Sequence, residues 1–142
     1  MDDNCLFCRI VSGEIPATLV YEDKNAVAFL DHRPLFHGHT LLVPRTHVET
    51  LTDLPHTLIG PFFEAAQSLA RAVEFAMNAE GTFVAMNNRV SQSVPHLHVH
   101  IVPRRKKDGL KGFFWPRTKY KDEGEMKVVQ QKIAAALQEL SR

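Results

Sequence analysis

The sequence lacks the features that most readily assign a chain to a class. Its 142 residues contain no run of about 18 apolar residues and no secretory signal pattern, so neither a membrane-spanning helix nor export is predicted. The formal net charge is only +1, which gives no general attraction to nucleic acid or to an anionic membrane. Glycine-rich loops of the Walker or dinucleotide-binding kind are missing too. We therefore expect a cytoplasmic protein with no nucleic-acid or membrane partner.

Cysteine is scarce, and both copies lie in one motif, Cys5-x-x-Cys8. In a reducing compartment such a pair is more typical of a metal site or a redox-active site than of a structural disulfide. A zinc site needs two further ligands, and none follows nearby in the sequence. From these residues alone, metal binding, redox activity and packed free thiols all stay open.

Histidine is abundant by contrast, and three of the eight copies alternate in one stretch. Residues 95–103 read Pro-His-Leu-His-Val-His-Ile-Val-Pro. Because side chains alternate along a β-strand, this pattern predicts a strand with its histidines on one solvent-facing side and its apolar residues in the core. The histidines are His96, His98 and His100, and the apolar residues are Leu97, Val99 and Ile101.

The three histidines need a chemical explanation, because imidazoles on a wet sheet face contribute nothing to packing. Neutral imidazole is a common metal ligand, but His96 and His100 would lie about 13 Å apart on a strand, too far to share one ion without strain. Alternatively, an imidazole nitrogen attacks phosphorus while its neighbours supply protons or hydrogen bonds. Only phosphate chemistry gives each histidine a separate role, so we favour it over metal binding and over chance.

The rest of the pattern predicts an α+β domain. The 3.6-residue apolar period predicts a long helix that begins near Pro55 and stops before Gly81, and a second helix over 123–140. Hairpin-length connections predict an antiparallel sheet of about five strands, with the long helix packed on it and the second helix added at the C-terminal end. Besides the histidine stretch, strands are predicted over 18–22, 26–31, 39–44 and 82–86.

Two unusual segments follow the histidine strand. Residues 104–107 form a basic run, which is either a solvated loop or a group that steers a polyphosphate. Residues 113–116, Phe-Phe-Trp-Pro, either cover the core or form a contact between subunits. The sequence does not choose between these alternatives.

The stretch His-Leu-His-Val-His-Ile-Val over 96–102 resembles the His-φ-His-φ-His-φ-φ signature of the histidine triad (HIT) superfamily, in which φ is apolar. The resemblance implies a HIT-like fold, a single HIT domain over 1–142 with a family-like core at 5–105 and an extension at 106–142, and a homodimer. It is closest to the bacterial HIT hydrolases, but Ser91 stands where the family commonly has glycine before the glutamine. Other segments that resemble the family in their usual order lie at 5–8, 10–16, 28–31, 38–41, 43–47 and 92–94.

The resemblance implies hydrolysis of a purine nucleotide at its α-phosphate, with an AMP-like product. His98 would be the nucleophile that forms a covalent nucleotidyl-histidine, with its other nitrogen donating to a backbone carbonyl. His100 would hydrogen-bond the phosphate or the leaving group, and His39 would support the site. The implied nucleotide-binding residues are Phe29 and His32 at the base, Asp31 at the ribose hydroxyls, Asn88 at a phosphate, and Gln92 and Ser93 around the α-phosphate, beside His98 and His100.

The resemblance also supplies the missing metal ligands. Some HIT proteins combine an N-terminal Cys-x-x-Cys with the histidine of a Pro-x-x-His segment and with the first histidine of the triad. In this sequence the four residues are Cys5, Cys8, His47 and His96. Such a closed Cys₂His₂ set is typical of structural zinc. We therefore predict Zn²⁺ as a structural cofactor that fixes the N-terminus against the histidine strand.

Two other functions stay open beside the nucleotide hydrolase. A zinc-dependent hydrolase would use the three histidines as ligands, so chelation would abolish catalysis, whereas loss of a structural zinc would lower stability with little chemical change. A nucleotide-binding module would bind a nucleoside monophosphate with little turnover and no labelled enzyme. A uridylyltransferase is disfavoured by the short chain and by His100. The sequence does not choose among a dinucleoside polyphosphate, a phosphoramidate and an adenylylated adduct as substrate.

Overall fold

The computed structural model describes residues 2–110 and 117–140, so the aromatic segment 113–116 lies outside the described residues. The chain divides into two compact units, Met1–Asp108 and Gly109–Arg142. In the described part of the second unit the structure has one helix, α3 (Glu123–Leu140), as the apolar period predicts. Among the described residues, no helix combines the length and the hydrophobicity needed to cross a bilayer. The predicted division into a core at 5–105 and an extension at 106–142 stays a prediction.

The first unit is built on one five-stranded antiparallel sheet, which confirms the predicted α+β fold. The strand order is β1-β2-β3-β5-β4, so the strand that carries the last triad histidine lies between β3 and β4. In the β3–β5 pair, Leu42 lies opposite Val99 and Leu41 lies opposite His100. The strands are β1 (Leu19–Glu22), β2 (Ala26–Leu30), β3 (Thr40–Pro44), β4 (Gly81–Ala85) and β5 (Val99–Arg104).

One face of the sheet is covered by the predicted long helix, after a single 3₁₀ turn at Leu51–Asp53. This helix, α2, runs over His56–Ala76, and its buried positions recur at the helical period, as at Phe62, Leu69 and Val73. These side chains pack against Leu97 and against alternate residues of β2, β3 and β5. The prediction that the apolar residues of the histidine stretch face the core is therefore confirmed.

The opposite face is covered by α1 (Leu6–Val11), a six-residue helix that the sequence analysis did not predict. Phe7 and the two cysteines pack there against apolar side chains of β2 and β3. A helix this short is not stable alone in water, so its position depends on these contacts. The strand residues that it covers are Val27, Phe29, Leu41 and Val43.

Because α1 covers this face, the prediction that the triad histidines lie on a solvent-facing side is wrong. His96 and His98 are buried, with exposed fractions of 0% and 4%, and only His100 is half-buried. His96 and His98 nevertheless lie on the same side, as the alternation predicts, because both rings contact Phe7 of α1.

The histidine strand also begins later than the alternation predicts. β5 starts at Val99, whereas the pattern predicts a strand from residue 95. The Leu97 N–H donates to the carbonyl of Val48, beyond the end of β3, at 2.8 Å. The first two triad histidines are therefore held by the segments around them rather than by the sheet ladder.

The basic run at 104–107 makes contacts within the first unit. The Arg104 guanidinium donates to both carboxylate oxygens of Asp108, at 2.6 and 3.0 Å. The Arg105 guanidinium donates to the carbonyl of Met77 at 2.7 Å. These bonds favour a structural role for both arginines over steering of a polyphosphate.

Candidate functional site

Two cysteines and two histidines converge at the start of α1. Their four ligand atoms all lie within 4.8 Å of one another. Nδ1 of His96 is 3.3 Å from Sγ of Cys5, 3.5 Å from Sγ of Cys8 and 3.1 Å from Nδ1 of His47. The Cys8 Sγ is 3.3 Å from Nδ1 of His47. We call these four residues the Cys–His cluster; they are the four predicted zinc ligands.

Hydrogen bonding fixes which nitrogen of His96 is available to a metal. Its Nε2 lies 2.8 Å from the carbonyl oxygen of Pro44, which can only accept, so Nε2 carries the hydrogen. Burial lowers the pKa of His96 to about 4, so the ring is neutral at pH 7. In that neutral ring Nδ1 presents a bare lone pair to the cluster. A donated bond from the remote nitrogen to a carbonyl is the usual support of a metal-binding histidine.

The spacing and chemistry of the cluster suit zinc. A tetrahedral zinc ion with bonds of about 2.0–2.3 Å has ligand atoms about 3.3–3.8 Å apart, close to the separations found here. Burial raises the pKa of the Cys5 thiol, and a bound dication would reverse that effect and favour the thiolate. The Cys8 N–H also donates to the Cys5 sulfur at 3.4 Å. The residues therefore fit a closed, structural metal site.

His98 lies next to the Cys–His cluster, and its ring hydrogen is on the other nitrogen from that of His96. Its Nδ1 is 2.8 Å from the main-chain carbonyl oxygen of His96, so Nδ1 carries the hydrogen. The tautomer with its hydrogen on Nδ1 has its bare lone pair on Nε2. The bond to a backbone carbonyl that the resemblance implies for this histidine is present in the structure.

A chain of hydrogen bonds runs from the backbone of Leu35 to His100. The Leu35 N–H donates to Nδ1 of His39 at 3.1 Å, so a neutral His39 carries its hydrogen on Nε2. Nε2–H of His39 donates to Nδ1 of His100 at 3.0 Å, which leaves the hydrogen of His100 on Nε2. His98 and His100 are therefore opposite tautomers. At Nε2, His98 offers a lone pair and His100 offers an N–H.

His39 and His100, the two histidines linked by these hydrogen bonds, are both neutral at pH 7. Burial lowers the pKa of His39, and burial lowers the pKa of His100 to about 4. The Asp31 carboxylate, with Oδ2 3.7 Å from Nε2 of His39, raises both pKa values by less than burial lowers them. The two histidines are thus suited to directed hydrogen bonds rather than to carrying positive charge.

Ligand atoms of Asp31, His39 and His100 also lie within 4.8 Å of one another, as they would around a metal. This arrangement is nevertheless unsuited to a metal, because the nitrogen of His39 nearest the other two residues carries a hydrogen. Moving that hydrogen to Nδ1 would break the bond from the Leu35 N–H. We call these three residues together with His98 the His–Asp group.

A cavity of about 570 Å³ opens beside the His–Asp group. Its wall combines polar groups with apolar side chains from α1, β2 and the segment between them, a combination suited to a small ligand with a flat apolar part and a polar part. Six of the predicted nucleotide-binding residues line it: Phe29, Asp31, His32, Ser93, His98 and His100.

The other two predicted nucleotide-binding residues, Asn88 and Gln92, bind backbone instead of lining the cavity. The Asn88 side chain accepts from the N–H of Leu51 at 2.7 Å, and the Gln92 amide donates to the carbonyl of Glu49 at 2.7 Å. These bonds hold the loop 87–92 against the segment 49–51. The predicted contacts of both residues with nucleotide stay predictions.

Ser91 of the same loop has a φ of 61°, in the left-handed region that favours glycine. Ser91, before the glutamine, therefore adopts a backbone conformation that a glycine would adopt more readily.

The part of the cavity wall that α1 supplies was not predicted from the sequence. Leu6, Phe7 and Ile10 line the wall next to His98. Their three- and four-residue spacing was the available signal, but six residues are too few for a periodic pattern to stand out. The Cys-x-x-Cys motif therefore belongs to a helix that forms both the Cys–His cluster and one wall of the cavity.

Comparison with known proteins assigns the family. The HIT domain model matches residues 12–107. The chain is 39% identical over 115 residues to Protein hit of Bacillus subtilis, which is 80% of this chain and 79% of that protein. It is 36% identical over 113 residues to an adenosine 5′-monophosphoramidase of Saccharomyces cerevisiae, covering 78% of this chain and 69% of that one.

The fold is similar to that of a Zn-bound histidine triad family protein from Mycobacterium smegmatis. The TM-score is 0.71 at 36% identity, and the match covers 94% of this chain and 97% of that one. Together with the HIT domain match, these similarities show that the chain belongs to the HIT family, as its triad signature predicts.

Proposed function

We propose that this protein hydrolyses a purine nucleotide at its α-phosphate through a covalent nucleotidyl intermediate on His98. The observation that carries the proposal is the pair of opposite tautomers beside the cavity. A displacement at phosphorus needs a nucleophilic lone pair, which His98 offers, and a donor for charge on oxygen or on the leaving group, which His100 offers. Both residues line the same cavity as Asp31 and Ser93.

In the first step the Nε2 lone pair of His98 forms a bond to the α-phosphorus, and the bond from phosphorus to the leaving group breaks. The electron pair of the broken bond goes to the leaving group, which the N–H of His100 hydrogen-bonds. The His96 carbonyl, which accepts from Nδ1–H of His98, stabilises the positive charge that develops on this ring.

In the second step water attacks the same phosphorus, and the electron pair of the nitrogen–phosphorus bond returns to His98. The leaving group takes a proton from solvent water in the first step, and the attacking water gives one back to solvent in the second. The products are therefore a nucleoside monophosphate, the protonated leaving group and neutral enzyme. Covalent catalysis thus splits one difficult displacement into two easier ones.

The substrate class that we favour is a nucleoside phosphoramidate, with a dinucleoside polyphosphate as the alternative. The phosphoramidase activity in the name of the similar yeast protein supports this choice. Phe29 and His32 would contact the base, and Asp31 would accept from the ribose hydroxyls. The Asp31 Oδ1 accepts from the N–H of Arg33 at 2.9 Å, which orients the carboxylate at the cavity.

We also propose that the Cys–His cluster holds Zn²⁺ as a structural ion. The donor set, the bare Nδ1 of His96 and the Zn-bound relative support this assignment. The ion would join α1 to the segment after β3 and to the segment before β5, and its binding would contribute to folding. The homodimer and the cytoplasmic location stay predictions from the sequence.

A hydrolase that uses the whole triad as metal ligands is not supported. Nδ1 of His96 is among the cysteines, Nδ1 of His98 donates to a carbonyl, and Nδ1 of His100 accepts from His39. The Nδ1 atoms of the three histidines therefore face three different partners and do not converge on one ion.

The test is steady-state hydrolysis of adenosine phosphoramidate beside diadenosine polyphosphate by wild type and His98→Ala. We expect turnover to fall by at least about 10³-fold in the variant while AMP still binds. Intact-mass measurement during turnover should find an adenylyl adduct on wild type and none on the variant. His56→Ala, which replaces an exposed histidine at the start of α2, is the matched control and should turn over like wild type.

Retained turnover in His98→Ala would contradict the proposed nucleophile. A wild-type protein that binds AMP and hydrolyses neither substrate would instead indicate a nucleotide-binding module.

A further inference from the structure

Phe7, the residue between the two cysteines, is packed against the histidine that we propose as nucleophile. Its ring is 5% exposed and lies edge-on to three other rings. The centroid distances are 5.1 Å to His98, 5.9 Å to His96 and 5.4 Å to Phe29, at interplanar angles of 85°, 74° and 67°. An edge-to-face contact has a preferred geometry, so each contact restricts the orientation of Phe7 and of the ring that it touches.

The hydrogen bond from His98 to the backbone does not by itself fix the ring plane. One bond at Nδ1 sets the position of that nitrogen but allows the ring to swing about it. The ring of His100, 5.0 Å away, restrains one side of His98, and Phe7 restrains another. The direction of the Nε2 lone pair, which must point along the line of attack at phosphorus, therefore depends on Phe7.

Phe7 is itself held between the two cysteines at the start of its helix. Cys5, at the N-terminal cap of α1, accepts from the N–H of Cys8, and both sulfurs belong to the Cys–His cluster. Phe7 thus lies within the turn that joins two predicted metal ligands, and a six-residue helix has little stability of its own. The backbone of Phe7 is therefore restrained by the cysteines on either side of it.

We propose that Phe7 is a positioning residue, which holds the ring of His98 in the orientation needed for attack at phosphorus. This inference rests on the proposed function, because it assigns Phe7 a role through the nucleophile. It adds a catalytic purpose to the Cys-x-x-Cys segment, whose bound metal would otherwise serve stability alone.

The test compares Phe7→Leu with Phe62→Leu. Phe62 is a buried phenylalanine of α2 in the core on the other face of the sheet, so its variant controls for loss of a core ring. We expect kcat to fall about 10- to 100-fold in Phe7→Leu with AMP affinity little changed, and kcat to stay near the wild-type value in Phe62→Leu. Because Phe7 also lines the cavity, a residue with only a wall role would weaken AMP binding and leave kcat intact.

A second measurement needs no turnover. Nitrogen NMR of the imidazoles should show His98 of the resting wild-type protein as the single Nδ1–H tautomer. In Phe7→Leu the two nitrogen signals of His98 should move toward each other as the ring samples other orientations, and Phe62→Leu should keep the wild-type signals. If wild type hydrolyses neither substrate, the proposed function fails and this spectrum still decides the role of Phe7.

The inference is overturned by wild-type kcat in Phe7→Leu, by a loss confined to AMP affinity, by an equal loss in Phe62→Leu, or by unchanged His98 signals. Phe7→Met, which fills a similar volume without a ring, replaces Phe7→Leu if that variant does not fold, and its results are judged by the same criteria.

Discussion

The Cys–His cluster and the His–Asp group lie side by side, and the ligand atoms of the first, like those of Asp31, His39 and His100 in the second, lie within 4.8 Å of one another. They differ in where the hydrogens are. In the Cys–His cluster the buried histidine His96 turns its N–H away, toward the carbonyl of Pro44, so a lone pair faces the sulfurs. In the His–Asp group an N–H of His39 lies between its neighbours, because a backbone N–H occupies the other nitrogen.

This difference teaches that proximity does not distinguish a metal site from a hydrogen-bonded catalytic site. Three backbone groups decide which is formed: the carbonyls of Pro44 and His96 and the N–H of Leu35. Each fixes one imidazole tautomer, and the tautomer decides whether the ring is suited to bind a cation or to take part in proton and phosphoryl chemistry.

The largest effect is expected from removing the sulfurs of the Cys–His cluster. Cys5→Ser combined with Cys8→Ser should release the metal and lower the free energy of unfolding by about 3–4 kcal/mol, the linkage for zinc at 100 to 1,000 times its Kd. Denaturant unfolding of variant and wild type, each with and without a chelator, measures the change. Chelated wild type should unfold near the variant, and an unchanged unfolding midpoint of the variant would contradict a structural ion.

The next effect concerns the N–H that the His–Asp group offers. His100→Ala removes the donor and should lower kcat by about 10²-fold, whereas His100→Gln keeps an amide N–H and should lose about tenfold. The kcat of both variants on adenosine phosphoramidate tests this order. Equal losses would show that His100 acts by something other than donation, and metal content should stay at the wild-type level in both.

His39 should have a smaller effect, because it acts through His100. His39→Phe fills the buried position but cannot donate to Nδ1 of His100, so that ring is free to change its tautomer. We expect kcat to fall about tenfold, the usual scale for a supporting hydrogen-bond partner, with AMP affinity and metal content retained. A loss of metal from this variant would place His39 among metal ligands and contradict the distinction between the two groups.

The smallest effect is a pH dependence of stability. Burial lowers the pKa of His100 from an ordinary value of 6.5 to about 4. Between these two pH values the unfolded chain therefore binds a proton at His100 that the folded chain does not bind. The free energy of unfolding therefore has its full value above about pH 7 and decreases as the pH falls toward 4. His100→Asn should lose about 1–2 kcal/mol less than wild type between pH 7 and pH 5. Denaturant unfolding at the two pH values measures this loss for each protein. An equal loss in wild type and in His100→Asn would contradict a neutral, buried His100.

Much of the fold, and the convergence of the four residues of the Cys–His cluster, could be predicted from the sequence. Alternation correctly assigned Leu97, Val99 and Ile101 to the core, and the family resemblance brought together cysteines and histidines that are far apart in the chain. The period-two pattern could not predict that His96 and His98 are buried, because burial depends on α1, which is too short to give a periodic signal.

The tautomers of His39 and His100 could not be predicted from side-chain identities. The resemblance implied a backbone acceptor for His98, and the structure supplies it, but the partner of His39 is the amide of Leu35, a residue whose side chain has no part in the chemistry. Likewise Asn88 and Gln92 are polar residues at plausible positions, and their amides hold a loop.

Metal content per chain is the measurement that tests the distinction between the two clusters most directly. Elemental analysis would be carried out on four purified variants: His96→Asn, Cys5→Ser with Cys8→Ser, His98→Ala and His39→Phe. The first two should hold no ion, while the last two should keep one ion per chain and turn over more slowly than wild type. Loss of the ion from His98→Ala, or its retention in the cysteine variant, would contradict the assignment of metal to one cluster and chemistry to the other.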